Sequence, residues 1–390
     1  MKSFAVIFLL ASSWLLNGCS GSLQAGLKSK PLTRIEVLQL LAPRDGGKAP
    51  DLTNKNLTDL DLRDVTFNSA ILNGAALNTA DLSKSNLSEA SLVNADLRKT
   101  ILRNVNFAGA DLQGANLTGA DLRGANLTGA DLRNAKLINA NLEKANILGV
   151  NLQQADLRGA DLSGVFFGSV DVSYAGFESA DLRGSDFSGI TLTGTRFNDA
   201  NLQLANFSYT YMSGVDFREA DMRMVELNGA NIEDVNISNA DLERADLSEA
   251  TILRSRLEKV NFNYARMRKI TMRNCTLTDS TFQEVNLFQA KITATTMNWS
   301  KLRKASLINS SLTHVDLSNS DLSDAHLHKS IIRNVKLTLS ELKGADLQMA
   351  DVKGSDFTGA NVAGTNFRAT KNLEETIGFD KTRNLDQAKF

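Results

Sequence analysis

The sequence predicts an all-β fold in which short parallel strands form a square coil and the coils stack into a rod. Three observations predict it. An apolar residue occupies every fifth position from Leu52 to Phe367, which makes 64 units in one frame. A small residue, most often Ala, lies two positions before it, and Gly recurs two positions after it. Because neither a helix nor a simple strand repeats every five residues, we expect a repeat architecture.

The unit Ala120–Gly124 shows the positions, which we name small, leading, central and first and second trailing. In an extended segment the small and central residues point to one side and the leading residue to the other. The trailing pair must then turn the chain, and Gly114 and Gly119 at the second trailing position suit a turn with positive φ. Four such corners close a coil, so the pattern predicts about 16 coils and a rod of roughly 75 Å.

The uninterrupted run Ala110–Gly119 (Ala-Asp-Leu-Gln-Gly-Ala-Asn-Leu-Thr-Gly) resembles the repeats of the pentapeptide repeat family. The resemblance covers about four fifths of the chain, residues 52–367. It implies a right-handed quadrilateral β-helix. Members of the family share a scaffold rather than a reaction, so the resemblance implies the fold and no particular activity.

Both ends of a coil stack need a cap. Residues 32–51 are expected to form an N-terminal helical cap, because Thr33–Glu36 has the form of a capping box and Pro43 follows as a stop. Residues 368–390 are expected to form the C-terminal cap, with a second helix beginning at Asn372–Glu375 and ending at Gly378. In some family members the terminal region pairs two rods, so the resemblance also allows a homodimer through this cap.

The N-terminus does not belong to the rod. Residues 1–18 combine Lys2, an apolar run of thirteen residues and Cys19 immediately after the segment, and they resemble a bacterial lipoprotein signal. Cleavage would leave Cys19 as the lipid-modified first residue and 19–31 as a polar tether, with Ser20 suggesting the outer membrane. Asn17 departs from the usual residue at its place. An ordinary secretory signal and an uncleaved anchor are the alternatives.

Charge is near neutral over the whole chain but uneven along it. Residues 151–250 contain 17 acidic and 6 basic residues, whereas 251–304 contain 11 basic and 3 acidic residues. We name the second group the basic collar: Arg254, Arg256, Lys259, Arg266, Arg268, Lys269, Arg273, Lys291, Lys301, Arg303 and Lys304. The collar suits anionic lipid, polysaccharide or nucleic acid, and its simplest interpretation is a solvated surface that attracts the acidic segment of a neighbouring rod.

Some pentapeptide repeat proteins mimic DNA and bind type II topoisomerases such as gyrase, and this is the alternative function. That function requires a strongly acidic cytoplasmic rod. Here the rod is neutral, the repeat is uninterrupted and the N-terminus resembles an export signal. We therefore expect no nucleic-acid partner and favour a protein or an envelope polymer, with the membrane reached through the N-terminal lipid.

Large apolar residues at outward positions are the candidate interaction surface. Four of them flank central positions of one face of the square: Leu148, Phe166, Phe288 and Ile308. Phe288 and Ile308 occupy the same position one coil apart and are expected to touch. Scattered apolar residues are common on protein surfaces, which is the simpler interpretation.

Catalytic chemistry is not expected. His326 and His328 point outward near Asp346, but an open convex wall lacks the support that a metal site needs, so no metal and no cofactor are predicted. Cys275 occupies an inward small position and is expected to be a buried hydrophobe. The sequence thus predicts a non-catalytic, membrane-tethered structural or protein-interaction scaffold of the bacterial cell envelope.

Overall fold

The computed structural model describes residues 30–42 and 48–390, and within them the chain forms a parallel β-solenoid. Leading residues pair with the leading residues twenty positions later in parallel bridges, from Asp51–Ile71 through Asp346–Asn366. Four five-residue units therefore make one turn. The predicted square coil and the all-β fold class are confirmed.

The regular strands all lie on one face and follow one another in sequence order within a single parallel sheet. They are β1 (Thr191–Thr193), β2 (Tyr211–Ser213), β3 (Asn231–Glu233), β4 (Thr251–Leu253), β5 (Thr271–Arg273), β6 (Lys291–Thr293), β7 (Ser311–Thr313) and β8 (Ile331–Arg333). These eight strands make seven turns, so the expected number of about 16 regular coils was too high. The other repeats join through single bridges at the same spacing, because each short segment between two corners offers one leading residue for pairing.

The core is built from the central positions, which are buried from Leu52 to Phe367, and from the small positions, nearly all of which are buried from Val65 to Thr365. Phenylalanines stack in two ladders on opposite sides: Phe167, Phe187 and Phe207 on one, Phe177, Phe197 and Phe217 on the other. Ring centroids within a ladder lie 4.0 to 5.1 Å apart, and rings of the two ladders meet edge to face at 5.6 to 6.4 Å. The interdigitated rings fill the axis of the rod, as the sequence predicted.

The corners explain why Asp and Asn dominate the leading position. The Asp111 carboxylate accepts a hydrogen bond from the backbone N–H of Gln113 at 3.1 Å, and the Asn116 side chain accepts one from Thr118 at the same distance. These bonds hold the first trailing residue, and the second trailing residue then turns in the left-handed region, with φ of +65° at Gly114. Each unit therefore makes its own corner from local sequence.

The bridge series is interrupted at two places within residues 48–390, between Asn146 and Phe166 and between Asp171 and Thr191. Both interruptions adjoin the point where the core changes from leucine layers to the phenylalanine ladders that begin at Phe167. Phenylalanine rings need a wider coil than leucine side chains do. We infer that the walls separate locally where the coil widens.

The N-terminal cap is the predicted helix. Helix α1 (Arg34–Leu41) begins after Thr33 with the complete capping box: Glu36 accepts from the Thr33 N–H at 2.6 Å, and the Thr33 hydroxyl accepts from the Glu36 N–H. Val37 is fully buried against the first coil. The Arg34 guanidinium donates to the carbonyl oxygens of Asp61 and Arg63, at 2.6 and 3.0 Å. The open edge of the solenoid thus receives both apolar cover and hydrogen bonds.

The C-terminal cap contradicts the prediction of a helix from Asn372 to Gly378. Three 3-10 turns follow one another instead, at Leu373–Glu375, Phe379–Lys381 and Leu385–Gln387, and Gly378 begins the second turn rather than ending a helix. In this cap the residues that form bridges are six positions apart along the chain, instead of five. Each 3-10 turn adds one residue to a corner, and the chain still pairs with the preceding coil. The Phe379 ring meets Phe367 edge to face at 5.3 Å and closes the core.

Helices long and apolar enough to cross a membrane do not occur in the part of the chain that the structure describes.

Removing a ring from the phenylalanine ladder should destabilise the rod. We expect Phe187→Ala to lower the free energy of unfolding by about 3 to 5 kcal/mol, because it leaves a cavity between two stacked rings. Phe187→Leu keeps most of the volume and should cost less than half as much. Urea denaturation followed by circular dichroism measures both variants, and equal costs for the two would contradict the packing account.

Substitutions at two glycines, which occupy the same corner in different coils, distinguish backbone strain from a side-chain clash. Gly189 and Gly229 have φ of +69° and +67°, but only at Gly229 would an added Cβ meet the Tyr209 ring, 2.5 Å from Cε1. We expect Gly189→Ala to cost about 1 to 2 kcal/mol from the left-handed backbone alone, and Gly229→Ala to cost more. Adding Tyr209→Ala to Gly229→Ala should reduce the cost to that of Gly189→Ala, as measured by thermal unfolding.

Stability should fall in acid. The Arg183 guanidinium beside Asp181 holds the pKa of that carboxyl below its ordinary value, and Arg223 does the same for the pKa of Asp221. A lowered folded pKa means that the unfolded chain binds more protons, so this stabilisation is present above about pH 4 and is lost below it. Urea midpoints should be constant from pH 7 to about pH 5 and then decline. Arg183→Gln should make the decline shallower, and an unchanged slope would contradict this.

Candidate interaction surfaces

The four walls of the rod are the surfaces on which a partner can bind, and we name them in chain order. Face A carries β1–β8, and faces B, C and D follow it around the coil. Face B overlies the ladder of Phe177, and face D overlies the ladder of Phe167 on the opposite side. A leading residue and two trailing residues of each coil point outward on each face.

The predicted apolar surface lies on face D but divides into two parts. Leu148 and Phe166 are exposed, by 45% and 54%, and the Phe166 ring lies over Gly168. Phe288 and Ile308 lie one coil apart and are only half-buried. Six coils separate Phe166 from Phe288, or roughly 29 Å. The four residues therefore share a face without forming one patch.

Several exposed side chains lie at corners, and apart from Tyr209 they were not expected from the sequence. Tyr174, Leu204, Tyr209, Met224 and Tyr264 all occupy second trailing positions with positive φ and are exposed by more than two fifths. Large side chains rarely adopt this backbone conformation. A signal existed for two of them, since a Gly follows each twenty residues later and the tyrosine ring lies over it: Tyr174 over Gly194 and Tyr209 over Gly229.

Part of the acidic section, residues 151–250, is neutralised within its own units. An Asp followed two residues later by Arg places a guanidinium beside the carboxylate, as in Asp181–Arg183 and Asp216–Arg218, both at 2.6 Å. Face D differs from this pattern. From residue 186 to residue 249 its outward charges are all acidic: Asp186, Glu226, Asp246 and Glu249.

The basic collar lies on all four faces, as the sequence spacing predicted, and part of it is paired with the acidic section one coil before it. Arg254 contacts Glu233 and Asp234 near face A. On face D, Arg266 pairs with Asp246 and Lys269 pairs with Glu249, each at 2.9 Å. The Arg268 guanidinium lies 5.5 Å from the centroid of the Phe288 ring. The basic collar therefore begins directly after the acidic section, and the two are joined by ion pairs between neighbouring coils.

The histidines and Cys275 were the candidates for metal binding and thiol chemistry, and the described residues place them as follows. The His328 ring lies 3.9 Å from the Asp346 carboxylate, and no group of three His, Cys, Asp or Glu side chains there is placed to hold a metal ion. Cys275 is buried at 2% exposure, and burial raises the pKa of its thiol. It packs as the small hydrophobe that the sequence suggested. Cys19 and most of the tether lie outside the described residues.

Family models match more than half of the chain. The model for pentapeptide repeats matches in eight copies at residues 61–98, 90–129, 125–164, 255–293, 300–338 and 337–371. The model for a pentapeptide repeat region matches residues 170–247. Together these matches follow the five-residue frame through most of the solenoid. No curated protein is similar to the chain at a significant level.

Solved structures of pentapeptide repeat proteins are similar to the chain. HetL, a protein involved in heterocyst differentiation regulation from the cyanobacterium Nostoc sp. strain PCC 7120, is 24% identical with a TM-score of 0.26, and the match covers 84% of this chain and 96% of HetL. A protein of the Arabidopsis thaliana thylakoid lumen is 29% identical (TM-score 0.25; 25% and 68% covered). QnrB1, a plasmid-mediated fluoroquinolone resistance protein, is 18% identical (TM-score 0.25; 51% and 86% covered).

The family assignment depends on the sequence models, because the TM-scores are low and the identities modest. The models cover the chain from residue 61 to residue 371 with short gaps, and the solenoid has the five-residue unit that they describe. The chain belongs to the pentapeptide repeat family, as a scaffold or interaction protein.

Proposed function

We propose that this protein is a non-catalytic, rod-shaped scaffold of the bacterial cell envelope, tethered to a membrane through lipidated Cys19. It binds a protein or an envelope polymer through the outer faces of the rod. The observation that carries the proposal is the filled solenoid: inward positions from Leu52 to Phe367 pack together, so polar and charged side chains are presented on convex walls. Long walls of this kind favour binding over chemistry, which usually needs a concave and partly dry pocket.

The tether is supported by the sequence before the rod and by the way the rod begins. The apolar segment before Cys19 has the length and composition of a signal. The chain then enters the rod at the end that α1 covers. The twelve residues from Cys19 to Lys30 span at most about 40 Å when extended. A lipid at Cys19 would therefore hold that end near the bilayer and leave the faces accessible along the rod.

The deciding experiment measures the mass and location of the mature protein in fractionated bacterial cells, with and without an inhibitor of lipoprotein signal peptidase. We expect envelope protein that begins at a diacylglycerol-bearing Cys19, and accumulation of the precursor with the inhibitor. The chain offers a matched control, since it has two cysteines. Cys19→Ala should abolish lipid attachment, whereas Cys275→Ala should leave it unchanged.

Unprocessed protein in the cytosol would overturn the envelope scaffold. The alternative would then be a DNA-mimicking binder of topoisomerase, which the excess of eleven negative charges in residues 151–250 favours. A gyrase supercoiling assay would test it. Cleavage without lipid would instead indicate a secreted rod and remove only the tether.

A further inference from the structure

Face D has an ordered series of charged and apolar rows. From the N-terminal side its outward residues are apolar at Phe166, acidic at Asp186, uncharged in the coil of Tyr209 and acidic from Glu226 to Glu249. They are then basic in the coil of Arg266, apolar at Phe288 and Ile308, basic in the coil of His326 and mixed at Asp346 and Met349. Charges of opposite sign therefore meet at a line between the coils of Asp246 and Arg266. A second copy turned end for end presents the same series in reverse.

The central rows match by position as well as by charge. A two-fold axis along the strand direction, between these two coils, keeps each column opposite itself and exchanges the coils. Asp246 of one copy then faces Arg266 of the other, since both are leading residues, and Glu249 faces Lys269, since both are second trailing residues. Within each copy these charges already pair at 2.9 Å. Two copies would complete an array in which each of these four charges has an opposite charge beside it along the rod and another across the interface, whereas Arg268 faces Ser248.

The outer rows match under the same axis. The coil of Asp186 faces the coil of His326, so an acidic row meets His326, His328 and Lys329. The coil of Tyr209, whose side chain is 70% exposed, faces the coil of Ile308.

Each end of the overlap has an apolar side chain on both copies. The coil of Phe166 faces the coil of Asp346 and Met349; Phe166 and Met349 are 54% and 46% exposed, and Phe166 lies opposite Asp346 by position. In the row between, Phe288 faces Asn228, next to the Tyr209 ring that covers Gly229 in the facing copy.

We propose that face D is a self-complementary surface through which two copies of this chain pair antiparallel, with the axis between the coils of Asp246 and Arg266. This names the partner of a face and so deepens the proposed scaffold function, but it does not depend on the membrane tether. The interface is isologous, because each row contacts its symmetry-related row in both directions.

The overlap is long enough for a specific but weak dimer. From the coil of Phe166 to the coil of Met349 there are nine coil spacings, or roughly 43 Å. With a contact width on the order of 12 Å, about 1,000 Å² of total surface would be buried, the lower limit for specific interfaces. Because much of that surface is charged, the dimer should weaken as salt rises.

Charge reversal gives a test in which mixing two variants controls for lost stability, because each reversal also breaks the pairs Asp246–Arg266 and Glu249–Lys269 within its own copy. The full chain is studied with Cys19→Ser, in one nonionic detergent, so that lipid chains do not contribute to association. One variant carries Asp246→Arg and Glu249→Lys, and a second carries Arg266→Asp and Lys269→Glu. Each alone places like charges opposite one another, and we expect sedimentation velocity to show dimer affinity reduced at least about tenfold. Mixed in equal amounts, they oppose unlike charges at both rows and should form a heterodimer.

A control on face B tests whether the dimer uses face D, and a disulfide crosslink tests whether the two copies are antiparallel. Asp199→Lys with Glu219→Lys reverses two exposed acids on face B and should leave the dimer unchanged. For direction, Ser188→Cys and His328→Cys occupy the same column in facing coils. Mixing these two variants should give a disulfide between copies under oxidation, and Ser188→Cys alone should not.

Three results would overturn the proposal: a monomer at about 100 μM in low salt, a dimer that neither face D variant weakens, or variants that remain monomeric when mixed. A dimer that is unaffected on face D and lost when residues 368–390 are removed would place self-association at the C-terminal cap instead. None of these outcomes tests processing at Cys19. The proposed membrane tether and the proposed dimer can therefore be disproved independently of each other.

Discussion

The five-residue corner is the constraint on which the rest of this structure depends. A leading Asp or Asn accepts a backbone hydrogen bond two residues on, as Asp111 does from Gln113, and the second trailing residue then adopts positive φ. Because four corners close a turn, residues twenty apart lie above one another, and every ladder and charge row follows from that register. In the C-terminal cap each unit has six residues instead of five. The added residue at each corner produces a 3-10 turn, and the regular core ends there.

Packing inside the corners determines how regular the walls are. The series of bridges is uninterrupted up to Asn146 and is broken next to the ladder that begins at Phe167. Beyond that point the rings stack and cross at right angles, and face A becomes a continuous sheet from Thr191 to Arg333. The change in core composition and the change in strand pairing therefore occur in the same part of the rod.

A rod of this kind has its chemistry on the outside. Some acidic residues pair with arginines inside their own units, as Asp181 does with Arg183, so part of the negative charge on the walls is balanced locally. Face D departs from this neutralisation and carries its charges in rows of one sign. Such rows suit a scaffold that selects partners by the order of charges along a wall rather than by one pocket.

The sequence by itself determined the fold, the buried positions, the two phenylalanine ladders and the N-terminal capping box at Thr33. These follow from local rules, because each unit makes its own corner and the period states which residues point inward. Only the tertiary structure decided the number of regular strands, the interruptions near Phe166, the 3-10 turns of the C-terminal cap and the placement of the Tyr209 ring over Gly229. Each of these depends on how neighbouring coils fit, which the pattern of a single unit does not contain.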